Sequence, residues 1–232
     1  MKFSIYIILI LALMTSCQTS GNYANPESTN AGNNQIGPAS GKPVIYTADF
    51  ESEKKLIPED FFIMDGAWEV RKLVNTQALY LRPFPLRTYS LLLGPDIKEG
   101  LEMSADVYTS KRGQVYPNFS IGSNGLSGFR LNVKPGPRGS VLELYVNEVR
   151  LIANAKCDWQ TDMWSSMRLN VQRTGPNEVT VKGKIWKRGE REPDWQIVHK
   201  GDLPLDEGQC SIWGIPYSGR DIFFDNLVIT KP

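Results

Sequence analysis

The chain has 232 residues, with 26 Lys+Arg against 25 Asp+Glu and a single histidine, for a net charge of +1. A balance so near zero leaves no electrostatic footprint for nucleic acid or for an anionic membrane surface, and one histidine excludes a histidine-based metal centre. The hydrophobic fraction of 41% is enough for a real core.

The N-terminus reads as an export signal. Lys2 supplies a small positive segment, Phe3–Met14 is apolar, and small Thr15 and Ser16 precede Cys17. An apolar run of about a dozen residues is too short for a mature transmembrane helix, which needs about 20, so residues 1–16 read as a signal peptide. The Leu-Met-Thr-Ser-Cys ending at 13–17 resembles the lipobox of bacterial lipoproteins, with Met14 where that box usually carries Leu. The resemblance implies a diacylated Cys17 that becomes the new N-terminus and a membrane attachment of about 0.8 kcal/mol per buried CH₂. An ordinary secreted protein with a cysteine near its cleavage site remains the alternative. From Gln18 to Lys42 the chain is Gln, Thr, Ser, Gly, Asn, Ala and Pro with almost nothing to bury. Residues 17–43 are therefore expected to form a flexible tether, of roughly 25–30 Å r.m.s. reach.

From Val44 to Pro232 the apolar period is two. Leu101, Met103, Ala105 and Val107 alternate with Glu102, Ser104, Asp106 and Tyr108. Phe129, Leu131 and Val133 alternate with Arg130, Asn132 and Lys134, and Leu142, Leu144 and Val146 with Val141, Glu143 and Tyr145. The same alternation runs through Met167–Gln172 and Val179–Trp186. Turn signals at Lys111–Gly113, Ser123–Gly125, Pro135–Pro137 and Thr174–Asn177 separate the runs. Short strands at regular spacing, without a convincing helix, predict an all-β fold: an antiparallel two-sheet jelly-roll sandwich over residues 44–232.

Three stretches carry a family resemblance: Tyr46–Glu51, Gly183–Ile197 and Gly214–Ile229. Together they resemble the concanavalin A-like (laminin G-like) jelly-roll domains of exported bacterial proteins. Such domains are sometimes appended to quinoprotein-type β-propellers and sometimes found near keto-disaccharide hydrolase-like domains. The resemblance implies that the first and last strands pair. It leaves function open, because such domains host lectins, hydrolases and plain spacers.

Asp225 and Asn226 lie among apolar Phe223, Phe224, Leu227 and Val228, so at least one polar side chain meets a buried strand and needs partners. Hydrogen bonding is the default account. A structural Ca²⁺ held by Asp225 with Asp49 or Glu51 is the alternative, since hard oxygen ligands suit calcium. No other cofactor is expected.

Catalytic signatures are sparse. His199 has no Gly-x-Ser-x-Gly elbow to serve and is expected on a solvated strand face. A glycosidase needs two carboxylates about 5.5 or 6.5–9.5 Å apart. Laminarinase-type jelly rolls present theirs as Glu-x-Asp-x-x-Glu; here Glu102 and Asp106 share a strand face, with Glu143 expected nearby and Ser104 in the middle position. A binding reading uses the same outward residues better. Sugars are held by aromatic rings and planar polar groups, and Tyr108, Tyr116, Asn118, Arg130, Asn132, Glu143, Tyr145 and Arg168 are the candidates. Trp186, on the polar side of its strand, and Trp213, expected in a loop, are added as platforms. Arg188–Pro193 reads as a solvated hairpin loop.

Cys157 and Cys210 remain as a pair in an oxidising compartment. A disulfide between them would close a loop of just over fifty residues and contribute roughly 4 kcal/mol. Two separate buried thiols are the alternative. The expected function is a lipid-anchored bacterial envelope protein that binds polysaccharide or another envelope component without catalysis. A glycoside or keto-sugar hydrolase using Glu102, Asp106 or Glu143, and a protein-binding adhesion domain, are the rivals. Nucleic acid is not an expected partner.

Overall fold

A computed structural model describes residues 41–51, 56–84 and 87–232. The signal-peptide and Cys17 expectations, and most of the tether, lie outside the described residues. Fifteen strands follow in chain order. They are β1 (Val44–Ala48), β2 (Phe62–Asp65), β3 (Trp68–Leu73), β4 (Thr76–Leu81), β5 (Tyr89–Ile97), β6 (Leu101–Thr109), β7 (Asn118–Ser123) and β8 (Phe129–Lys134). Then come β9 (Ser140–Val146), β10 (Arg150–Cys157), β11 (Met163–Arg173), β12 (Glu178–Lys187), β13 (Ile197–Asp202), β14 (Gly208–Ile215) and β15 (Ile222–Thr230). No helix occurs among the described residues, and none there is long and apolar enough to cross a membrane.

The strands form two antiparallel sheets. The first runs β13-β12-β11-β6-β15-β4-β3, with β1 also paired to β15. The second runs β10-β9-β8-β7-β14-β5-β2. First and last strands pair from Val44↔Thr230 to Ala48↔Leu227, so the chain closes on itself as the family resemblance implies.

The alternation decides what faces inward. Leu101, Met103, Ala105 and Val107 of β6 are wholly buried, and they face Phe119, Ile121, Leu131, Val133, Leu142 and Leu144 from the second sheet. Fully burying one such side chain contributes about 1.5–3 kcal/mol, and the core continues through Leu169, Val171, Ile212 and Phe224. The two outer faces therefore inherit every alternate polar residue.

Two expectations need correction here. Cys157 and Cys210 are free thiols, one half-buried and one buried. They sit on β10 and β14, four strands apart in the second sheet, or about 19 Å at 4.8 Å per strand. That exceeds the roughly 7 Å Cα reach of a disulfide. Burial raises both thiols, Cys157 to about 12, so neither offers a thiolate at neutral pH. His199 pairs with Val181 on the inner side of edge strand β13, rather than on the solvated face.

The sheets approach closely at Gly183 of β12, where an added Cβ would lie 2.4 Å from Leu131 Cδ1. Leu131 is wholly buried and cannot swing away. A Gly183→Ala variant is expected to lose roughly 1–3 kcal/mol of stability through overpacking. Urea unfolding measures this, and an unchanged midpoint would mean that the sheets can part.

Candidate functional site

The outer face of the second sheet is built in rows across neighbouring strands. One row runs Asp65, Ser90, Trp213, Ser120, Asn132, Glu143 and Asn154. The row on one side of it carries Asn118, Lys134, Val141 and Lys156. The row on the other side carries Phe62, Leu92, Ser211, Gly122, Arg130, Tyr145 and Leu151. Rows are about 6.8 Å apart, two residues of strand.

A hydrogen-bonded chain runs along the middle row. Ser120 Oγ donates to Asn132 Oδ1 (2.8 Å), and Asn132 Nδ2 donates to Glu143 Oε2 (3.0 Å). The Tyr145 hydroxyl donates to the same Glu143 oxygen (2.9 Å), and Lys134 Nζ lies 3.8 Å from Oε1. Burial, followed by Glu143 beside it, pushes the Tyr145 phenol up to about 12, so it stays a donor.

Arg130 lies between two rings, its guanidinium carbon 5.1 Å from the Tyr145 centroid and 4.9 Å from that of Trp213. Its Nη2 donates to the Glu148 carbonyl at 2.7 Å. Trp213 belongs to β14, not to a loop as expected, and is buried with its indole N–H on Ser211 Oγ (2.9 Å). Gly122 leaves the space that this requires: a Cβ there would come within 2.3 Å of Ser211 Oγ. Ser120, Asn132 and Glu143 are buried among their neighbours at 2%, 6% and 8% exposure, whereas Asn118, Arg130 and Tyr145 are half-buried and are what solvent reaches.

The remaining candidates lie elsewhere. Glu102, Asp106, Tyr108, Arg168 and Trp186 are on the outer face of the first sheet, across the sandwich from Glu143. The part of that face around Lys184, Arg168 and Asp106 is covered by the segment 188–196, which the sequence presents as a solvated hairpin. Lys184 Nζ donates to the Pro193 carbonyl (2.9 Å) and pairs with Glu192 (2.8 Å), which also meets Arg168 (3.4 Å). Arg188 reaches back to Asp106 (3.2 Å) and Asp225 (3.8 Å). Glu102 is only 4% exposed and receives Lys42 (2.9 Å), Asn170 (3.1 Å) and Arg168 (3.2 Å). Tyr108 packs on Trp164 and Phe223, and Trp186 lies between Arg168 and Lys184.

The carboxylate pair of a glycosidase is therefore not assembled. Glu102 and Asp106 are four residues apart on one strand, about 13 Å, which exceeds either catalytic separation. Both are filled by hydrogen-bond donors, and Glu143 belongs to the opposite face.

The calcium site is not assembled either. Among the described residues no three His, Cys, Asp or Glu converge as metal ligands. A β-bulge at Asn226, whose φ is 49°, turns Asp225 and Asn226 to the same outer side. Asp225 accepts from the Asn226 N–H (2.8 Å) and the Thr76 hydroxyl (3.1 Å), and that hydroxyl also meets Glu51. Asp106 accepts from Ser166 (2.6 Å) and Asn226 Nδ2 (2.8 Å). Asp49 accepts from the Glu51 N–H. Arg188 supplies the positive charge where a cation would be needed.

Tyr116 precedes β7 and lines a cleft of about 420 Å³ at one end of the sandwich, with Lys111, Cys157, Asp158, Gln160 and Thr161. Ser120, Ser211 and Lys156 join the open face without having been singled out in the sequence. Their signal was present, since each falls on the polar phase of its alternation.

Solved structures share this fold at low identity. The Emp47p carbohydrate recognition domain matches with a TM-score of 0.55 and 14% identity, over 84% of this chain and 99% of that one. The PL-14 alginate lyase from Aplysia kurodai gives 0.53 and 13%, over 82% and 99%. Lectin UEA-II, complexed with galactose, gives 0.50 and 12%, over 81% and 98%. No protein-family profile and no curated protein matches the sequence. The fold is thus a concanavalin A-like jelly roll, and any activity must be argued from the side chains.

Burial raises the Asp225 carboxyl to about 7, with the Asp106 charge adding to it and the Asn226 N–H and Arg188 opposing. Asp106 is raised as well, again chiefly by burial. Between the ordinary value of 3.8 and about 7 the folded form keeps a proton that the unfolded chain releases. This contribution to stability is complete below about pH 4 and is lost as pH rises through 7. Asp225→Asn should gain roughly 2–4 kcal/mol on wild type between pH 4.5 and 8, at about 1.4 kcal/mol per pK unit. Parallel stability curves from urea unfolding would contradict it.

Proposed function

We propose that this protein binds carbohydrate through the open face of its second sheet, without catalysis, as a lipid-anchored component of a bacterial cell envelope. The observation that carries the reading is the Ser120–Asn132–Glu143 row beside the Tyr145–Arg130–Trp213 stack. A sugar presents pairs of hydroxyls and an apolar ring face. The reachable Asn118 and Arg130, oriented beside the buried Asn132–Glu143 chain, satisfy the former, and the Tyr145 ring accepts the latter. The hydrogen-bond chain fixes these groups before a ligand arrives, so little side-chain entropy is lost on binding. The likeness to the Emp47p carbohydrate recognition domain and to lectin UEA-II, complexed with galactose, supports the reading.

The anchor and location rest on the sequence alone: Lys2, the apolar Phe3–Met14 run and the Thr-Ser-Cys ending at Cys17. No metal enters this account. Attachment to an envelope protein is a second reading, favoured by edge strand β2, where Phe62 is 63% exposed and Ile63 and Met64 are open too.

Glycan-array screening followed by calorimetry tests the primary reading. Asn132→Ala and Tyr145→Ala should each weaken binding at least tenfold, about 1.4 kcal/mol. Trp186→Phe, on the opposite sheet, should leave the affinity unchanged. Glycan binding that is lost with Trp186→Phe and kept in Tyr145→Ala would place the site on the wrong face. An absence of any glycan affinity, with an envelope protein captured by wild type and lost in Phe62→Asp, would favour the second reading.

A further inference from the structure

The open face carries three central cations, Arg130, Lys134 and Lys156, against Glu143 in the middle row and Glu148 in the turn beside Arg130. Glu143 is already engaged: Asn132 and Tyr145 donate to one oxygen and Lys134 stands by the other. Asp65 lies on the same face but four strands from β8, about 19 Å, and its carboxylate receives the Gly66 N–H. At that separation, beyond the Debye length of about 8 Å in physiological salt, it neutralises none of the three.

Among the described residues neither Arg130 nor Lys156 makes a direct ion pair, and the Glu148 and Glu143 carboxylates act on Arg130 only from a distance. Lys156 stands exposed on edge strand β10, in the row of Lys134. Arg130 is the more informative. A half-buried guanidinium flattened between two rings loses hydration, and normally a carboxylate compensates it. Here the direct partner is one carbonyl, the Glu148 and Glu143 carboxylates offset burial only in part, and the buried Nε has no partner. Burial accordingly draws its pKa below the usual 12.5, the response of a cation held partly out of water. The two rings and the Glu148 carbonyl confine the guanidinium, and a confined fork is suited to bidentate recognition of a planar oxyanion.

We infer that the glycan taken by this face is acidic, with uronate carboxylates received by Arg130 on one row and by Lys156 and Lys134 two rows away. The inference rests on reading this face as the carbohydrate site and specifies the class of polysaccharide. Arg130 and Lys134 are four residues apart on β8, about 13 Å, so the two positions would meet different sugar units of one chain.

Calorimetry with polygalacturonate, its fully methyl-esterified form, a neutral β-glucan and dextran sulfate tests it, using the full chain. Polygalacturonate should bind, its methyl ester should bind at least tenfold more weakly, and raising salt from 50 to 500 mM should weaken the former alone. Arg130→Gln should reduce affinity at least tenfold. Lys156→Glu, at an exposed edge where folding is not at stake, should reduce it at least threefold at an unchanged melting temperature. Dextran sulfate binding that falls with Lys156→Glu would support the same oxyanion chemistry with sulfate as its source, whereas binding of all polyanions indifferent to both substitutions would overturn it. Equal affinity for the methyl ester or the neutral glucan, still lost in Tyr145→Ala, would overturn the acidic preference while keeping the carbohydrate site. Failure of all four polymers to bind would remove both.

Discussion

Arg188 is the residue on which the arrangement of this molecule turns. Asp106 and Asp225 face each other across neighbouring strands β6 and β15, nearly removed from water. Two adjacent buried carboxylates without a cation would be strongly destabilising. Arg188 folds back from the end of β12 to both of them, and the segment after it is fastened by Lys184 and Arg168 to Glu192. One sheet face thereby consumes its charges internally. The other, whose Arg130 and Lys156 make no direct ion pair among the described residues, is left to meet solvent or a ligand.

This division explains why similar strand patterns end in different roles. Asp106 and Glu143 are both carboxylates on the polar phase of a strand. Asp106 became part of a structural ion network because segment 188–196 lies over it. Glu143 became the hub of a row bordered by the half-buried Tyr145 and Arg130, and no described segment pairs with it from above. The same holds for Tyr108 and Tyr145: one packs into an aromatic cluster with Trp164 and Phe223, the other flanks Arg130 and donates to Glu143. Gly122 matters for a related reason, since only a missing side chain lets Ser211 and Trp213 sit close enough to floor the stack.

The fold was largely legible from the chain. Leu101–Thr109 and Phe129–Lys134 coincide with β6 and β8, because a period of two reports directly on which side chains face the core. Alternation says in or out; it does not say which sheet. Glu102, Arg168 and Trp186 therefore look equivalent to Asn132 and Arg130 until strand order is known, and strand order depends on pairings more than a hundred residues apart. The strap was illegible because Arg188-Gly-Glu-Arg-Glu-Pro has the same composition whether solvated or folded onto a charged face. Asp225 and Asn226 were flagged correctly as polar groups in need of partners. The bulge that satisfies them depends on a positive φ at Asn226 that no pattern announces. The cysteine pair failed for the same reason as the faces, since sequence separation does not give distance across a sheet.

The account stands or falls on which face meets the ligand, and amide chemical shifts report that residue by residue. Titrating the isotope-labelled protein with a galacturonate oligosaccharide should perturb Asn118–Gly122, Arg130–Lys134 and Glu143–Tyr145. Glu102–Tyr108, Arg168–Asn170 and the segment 188–196 should stay unmoved. Perturbations confined to that second group would show that the strap covers the true site and would contradict the account.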